Sequence, residues 1–300
     1  MQHRLVRSLP AAGIALAGLI GVVVLAIACA PPPGGGGATT TTASTASTTT
    51  IVGEDCPIVA ADLSTAPGAG PGYAAPSVSA SCSDTELLMQ SNGMPGYTFQ
   101  QTTPNPLGVQ DWHWHVPRYP ALAASPTPVS NWFGTIGFTV TGLPIYAAME
   151  GAQPANEAFG DPVHNGILDG CDGHTGPNRE YHYHALRTAA SCLLVEPLLG
   201  YALDGFPIYG PLGCLDAGCS QVVTFRSGYV QTADPTTNAW SAYTYQSSAD
   251  PTVLDACNGR VGPDGSYRYY ATSGFPYTVG CFAGVPTTQG GAAGGPMPPM

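Results

Sequence analysis

The chain has 300 residues, with 8 basic against 19 acidic side chains and a formal net charge of −11. Lysine is absent, and the arginines are scattered along the sequence. A phosphate backbone calls for clustered cations, so the composition argues against nucleic acid as a partner, whereas an acidic surface attracts metal cations.

Residues 1–28 read as a secretory signal. Two arginines precede an apolar run that closes on small residues just before Cys29. That ending resembles a bacterial lipobox, which predicts cleavage before Cys29 and a lipid on its thiol. An uncleaved anchor is the alternative, since about 18 apolar residues just span a bilayer, but it gives no reason for the cysteine. Both readings place the rest of the chain outside the cytoplasm, held at the membrane of a bacterial cell envelope. Residues 29–50, rich in Pro, Gly and Thr, form a flexible linker. The expected domain covers 51–286, and 287–300 form a tail poor in core formers.

Within the domain, "DTELLMQ" at 84–90 fits a short helix or a strand. "DWHWHVP" at 111–117 alternates, so His113 and His115 share a face opposite Trp112 and Trp114, and Pro117 ends the strand. An amphipathic strand with core tryptophans is the plainer reading; a second pair of metal ligands is the sharper one. Strand-like runs recur at 134–142, 180–186, 222–230, 240–246 and 266–272, with Gly, Pro, Asn and Asp clusters between them. A long amphipathic helix is missing. The expected fold class is mainly β: two related β units, sandwich- or barrel-like, with long disulfide-stapled loops.

The two units show in the sequence itself. "CDGHTGPNREYHYH" at 171–184 aligns without a gap with "CNGRVGPDGSYRYY" at 257–270. Upstream, "GLPIYAAMEG" at 142–151 is echoed by "GFPIYGPLGC" at 205–214. The order of matches argues for a duplication, with halves near 133–200 and 201–286. Beyond Cys29, eight cysteines remain, an even number suited to disulfides in an exported protein. Equivalent units should staple themselves equivalently, which predicts Cys171–Cys192 and Cys257–Cys281. Cys214–Cys219 would close a short loop, and Cys56–Cys82 would pin the N-terminal segment.

The repeat separates frame from site. Tyr181 and Tyr183 have counterparts in Tyr267 and Tyr269, whereas His174, His182 and His184 face Arg260, Arg268 and Tyr270. Packing alone would ask for something similar in both copies, so the histidines point to function. On an extended strand, His182 and His184 lie about 6.6 Å apart on one face, with Glu180 beside them. Two such rings can tilt onto one ion, and His174 can return across the Gly-Pro turn. Three histidines suit zinc or copper. Glu180 is a fourth ligand or an acceptor for a ring N–H; His164, Asp169 and Asp172 are further candidates.

The sequence resembles the YHYH family of exported proteins over residues 86–284. The resemblance rests on "QSNGMPGYTF" at 90–99, "FGTIGFTVTGLPIY" at 133–146, "HNGILDGCDGHTGPNREYHYH" at 164–184 and "ALDGFPIYGP" at 202–211, and on the block at 254–284. Tyr97 and Arg268 stand where this family commonly has histidine. The resemblance implies an identity more than a mechanism. The expected function is that of a cell-envelope lipoprotein with a histidine-based copper or zinc site on the YHYH strand, serving metal handling. The alternatives are a hydrolase using zinc-bound water and a metal-free adhesion or carbohydrate-binding module with an exposed aromatic platform.

Overall fold

The two repeated stretches form the two halves of a single eight-stranded sheet. The computed structural model describes residues 50–51, 56–151, 160–288 and 295–296. The expected leader peptide at 1–28, Cys29, the linker up to residue 49 and most of the tail lie outside the described residues. Three strands, β1 (Val78–Cys82), β2 (Glu86–Ser91) and β3 (Trp112–Pro117), make a small antiparallel sheet. The ambiguous segment at 84–90 is thus mostly strand. After β4 (Leu122–Pro128) come β5 (Thr135–Thr139), β6 (Pro144–Tyr146), β7 (Gly173–Thr175) and β8 (Tyr181–Tyr183). The second half repeats these four as β9 (Leu198–Ala202), β10 (Pro207–Tyr209), β11 (Gly259–Val261) and β12 (Tyr267–Tyr270). Finally, β13 (Cys281–Gly284) pairs antiparallel with β4.

The order across the large sheet is β7-β8-β6-β5-β9-β10-β12-β11. Read from either edge, each half gives the same sequence of antiparallel, parallel and antiparallel pairings. A pseudo-twofold axis therefore passes between β5 and β9, which pair antiparallel with Phe138 opposite Tyr201. Trp114 of the small sheet stacks on Phe138 with ring centroids 5.1 Å apart, and Trp112 stacks on Trp114 at 5.3 Å. The tryptophan face of β3 thus joins the small sheet to the centre of the large one, in a mainly β, sandwich-like arrangement. Helix among the described residues amounts to three single 3-10 turns.

The cysteines close Cys56–Cys82, Cys171–Cys192, Cys214–Cys219 and Cys257–Cys281. Cys171–Cys192 ties the turn before β7 to the loop that follows β8. The same turn is held by Asp169, which accepts from the Cys171 and Gly173 amides and from Tyr181 Oη; Asp255 does this for Cys257, Gly259 and Tyr267. Asp169, like Asp255 in the second half, is therefore part of the frame and stands outside the donor cluster described below. Replacing Cys171 and Cys192 together by serine is expected to lower stability by about 3 kcal/mol. Urea unfolding checks this, and an unchanged midpoint would contradict the account of the loop.

Candidate metal centre

Period-two alternation places the YHYH side chains on two faces of β8. On one face, Tyr181 and Tyr183 are fully buried and hydrogen-bonded through Tyr97, whose hydroxyl lies 3.0 and 2.7 Å from theirs. Tyr97 thus belongs to the core face of the strand. On the other face lie the histidines. His174 of β7 is the direct cross-strand partner of His182, and His184 follows two residues later, just past the end of β8. Each imidazole is at most 2% exposed.

Their rings converge. Nε2 of His184 lies 3.1 Å from Nε2 of both His174 and His182. A fourth donor comes from Glu150, which the strand pattern did not reveal. Because β6 runs parallel to β8, the chain leaving β6 passes the same end of the sheet as His184. Oε2 of Glu150 sits 3.0 Å from Nε2 of both His174 and His184, yet it makes no hydrogen bond of acceptable geometry. Close approach of several donor atoms of this kind is the arrangement that suits one shared cation. All four atoms lie within 4.8 Å of one another.

The surrounding groups prepare the donors. Nδ1 of His184 donates to the Ala147 carbonyl at 2.7 Å, which leaves the lone pair of a neutral ring on Nε2. Tyr146 stacks on His182, with centroids 3.9 Å apart and planes 16° apart. Burial, and then the neighbouring His184 and His174, push the His182 imidazole well below its ordinary pKa and keep it neutral. Burial raises the Glu150 carboxyl, but the His174 and His184 rings beside it outweigh that effect and hold it well below the usual carboxylate range. An imidazole and carboxylate set of this kind fits a divalent transition metal. Four of the donor separations are 3.0–3.1 Å, short enough for neighbouring donors to share one ion with bonds of about 2.0–2.1 Å. The donors open onto a cavity of about 1030 Å³ that also includes Trp132, Phe133, Tyr146 and Glu180.

Glu180, expected among the ligands, is not one of the four. It lies on the predicted face, but the cluster gathers beyond His182, at the His184 end, and Glu180 sits at the opposite end of β8. Its Oε1 accepts from Tyr146 Oη at 3.4 Å, and burial raises its carboxyl. The remaining candidates are engaged elsewhere. Asp172 pairs with Arg187 at 3.0 Å. His164 contacts the buried Asp161 at 3.0 Å. His113 and His115 stand on the outer face of β3, 2.9 Å from Asp111 and 3.7 Å from Glu86. Buried Trp112 and Trp114 make β3 the plain amphipathic strand.

A signal for Glu150 was present in the repeat. It aligns with Gly213, just as the histidines align with Arg260, Arg268 and Tyr270. In the second half, Arg260 faces Arg268 across β11 and β12. The Arg268 guanidinium lies over Tyr209 at 5.1 Å and pairs with Asp264, while that of Arg260 lies over Phe225 at 4.5 Å. The twin thus carries two fixed cations, Arg260 and Arg268, where the first half carries the imidazoles of His174 and His182.

No curated protein and no solved structure matches the chain. A family model described as "YHYH protein" matches residues 113–284, which takes in both halves of the large sheet but not the "QSNGMPGYTF" block. With more than half of its length matched in this way, the chain belongs to the YHYH protein family.

Proposed function

We propose that this chain is a cell-envelope lipoprotein that binds a transition metal ion, copper or zinc, through His174, His182, His184 and Glu150, and that it serves in metal handling. The observation that carries the reading is the convergence of four donor atoms within 4.8 Å, three of them on buried imidazole rings. In affinity, a nitrogen- and oxygen-donor set favours Cu2+ over Zn2+, so metal availability decides between them. The lipidated Cys29 and the export signal supply the location in this reading. A hydrolase is the second reading, favoured by the cavity in front of the donors and by the second carboxylate, Glu180. The adhesion-module alternative loses its platform, because Tyr181, Tyr183, Trp112 and Trp114 are buried.

The test is metal analysis of protein purified without a histidine tag. The wild type is expected to hold about one ion per chain, and His182→Ala/His184→Ala close to none, with both folded. Equal and negligible metal in both proteins would end the proposal.

A further inference from the structure

We propose that Glu180 selects what approaches the metal centre, favouring an uncharged ligand that presents an N–H or O–H donor, of the alcohol or amide type, over an anion. This rests on the metal reading of the four-donor cluster and adds the class of molecule that the site admits.

Glu180 is 4% exposed, and its Oε2 is a buried acceptor with no hydrogen-bond partner in the protein. Oε1 takes the long contact from Tyr146, and the Glu180 and Asn178 amides lie beside the carboxyl, but none of them satisfies Oε2. A buried acceptor left without a donor is costly, and a ligand that supplies the donor recovers that cost. The side chain lines the same cavity as all four metal donors, and it lies on the face of β8 that carries His182. A molecule held at the open side of the metal is therefore within reach of it.

The frame does not require a carboxylate here. Glu180 aligns with Ser266 in the second half, where Tyr209 still occupies the place of Tyr146. Glu180 thus shares with Glu150 and the three histidines the property of belonging to the first half alone. The charges around the cavity set the class of ligand. Among the described residues, two carboxylates, Glu150 and Glu180, line it, and no arginine does. An anion entering it meets those two negative groups and, among the described residues, no fixed cation besides the metal, whereas an uncharged donor meets a waiting acceptor. Thr103, Asn105 and Asn178 add uncharged polar groups to the same wall.

The experiment uses the chain loaded with Co2+, whose visible absorption reports exchange of a metal-bound ligand. Three probes are titrated: acetamide, an uncharged ligand with N–H donors; N,N-dimethylacetamide, which lacks them; and acetate, the anion of the same shape as acetamide. The variant is Glu180→Ser, which installs the residue the second half carries on the same frame; Glu180→Gln keeps the shape and serves as a second variant. Cobalt content is measured in every protein. The wild type is expected to bind acetamide at least about tenfold more tightly than N,N-dimethylacetamide, and acetate more weakly than acetamide. In Glu180→Ser, cobalt content stays the same and the preference between the two amides falls to near unity. In Glu180→Gln, it is intermediate, because a neutral carbonyl accepts less strongly. A full metal complement with an undiminished preference in Glu180→Ser overturns this inference and leaves the metal reading standing. Failure of the wild type to take up cobalt overturns both.

Discussion

Adding Zn2+ or Cu2+ at about a thousand times its dissociation constant is expected to raise the unfolding midpoint of the wild type by about 8–16 °C. A ligand that binds only the folded state at that excess contributes about 4 kcal/mol, and each kcal/mol moves the midpoint of a domain this size by about 2–4 °C. The unfolded chain competes poorly, because the eight cysteines of the domain are closed in disulfides. In His184→Ala the shift should vanish. That ring touches all three other donors and is itself held by Ala147. Two further variants separate the carboxylates: Glu150→Ala should lose most of the metal-induced shift, and Glu180→Ala should keep it. Comparing midpoints with and without metal in each protein removes the cost of the substitution itself. A wild-type midpoint unmoved by either ion would sink the metal centre, and a shift lost in Glu180→Ala but kept in Glu150→Ala would reverse the ligand assignment.

Alanine at Gly200 should destabilise the domain by about 3 kcal/mol or more, near the upper end for overpacking. Gly200 lies beside the pseudo-twofold axis, where β5 and β9 join the two halves. A Cβ there would sit 2.2 Å from the Phe138 carbonyl oxygen and 2.9 Å from Thr139 Cα, and both neighbours are backbone. Neither can rotate away, so the strands must separate and weaken the pairing that makes the sheet continuous. Gly137, its counterpart, meets the Tyr201 carbonyl oxygen at 2.6 Å in the same way. The midpoint should fall by about 6–12 °C. Gly170→Ala is the control, since its Cβ would find nothing closer than Gln100 Oε1 at 3.9 Å. Equal midpoints for Gly200→Ala and the control would show that the two halves do not depend on this contact.

The aromatic rings and the histidines of "YHYH" take opposite faces, as their alternation predicts, because side-chain parity along a strand is a local property of the pleated backbone. The same parity puts Glu180 on the histidine face. Parity does not say how far along the strand a site gathers, however, and the four donors meet at the other end, past His182.

By itself, the sequence determined the alternation on β8, the duplicated frame, the pairing of its cysteines and the asymmetry that marks three histidines as more than packing. All of these follow from short-range geometry or from comparing one half of the chain with the other. Only the tertiary structure decided that the halves share one sheet and that Glu150, rather than Glu180, completes the cluster. Both depend on which strands lie side by side. The parallel pairing of β6 with β8 carries the chain after Tyr146 to the end of the sheet where His184 stands, a neighbourhood set by sheet order and register rather than by spacing along the chain.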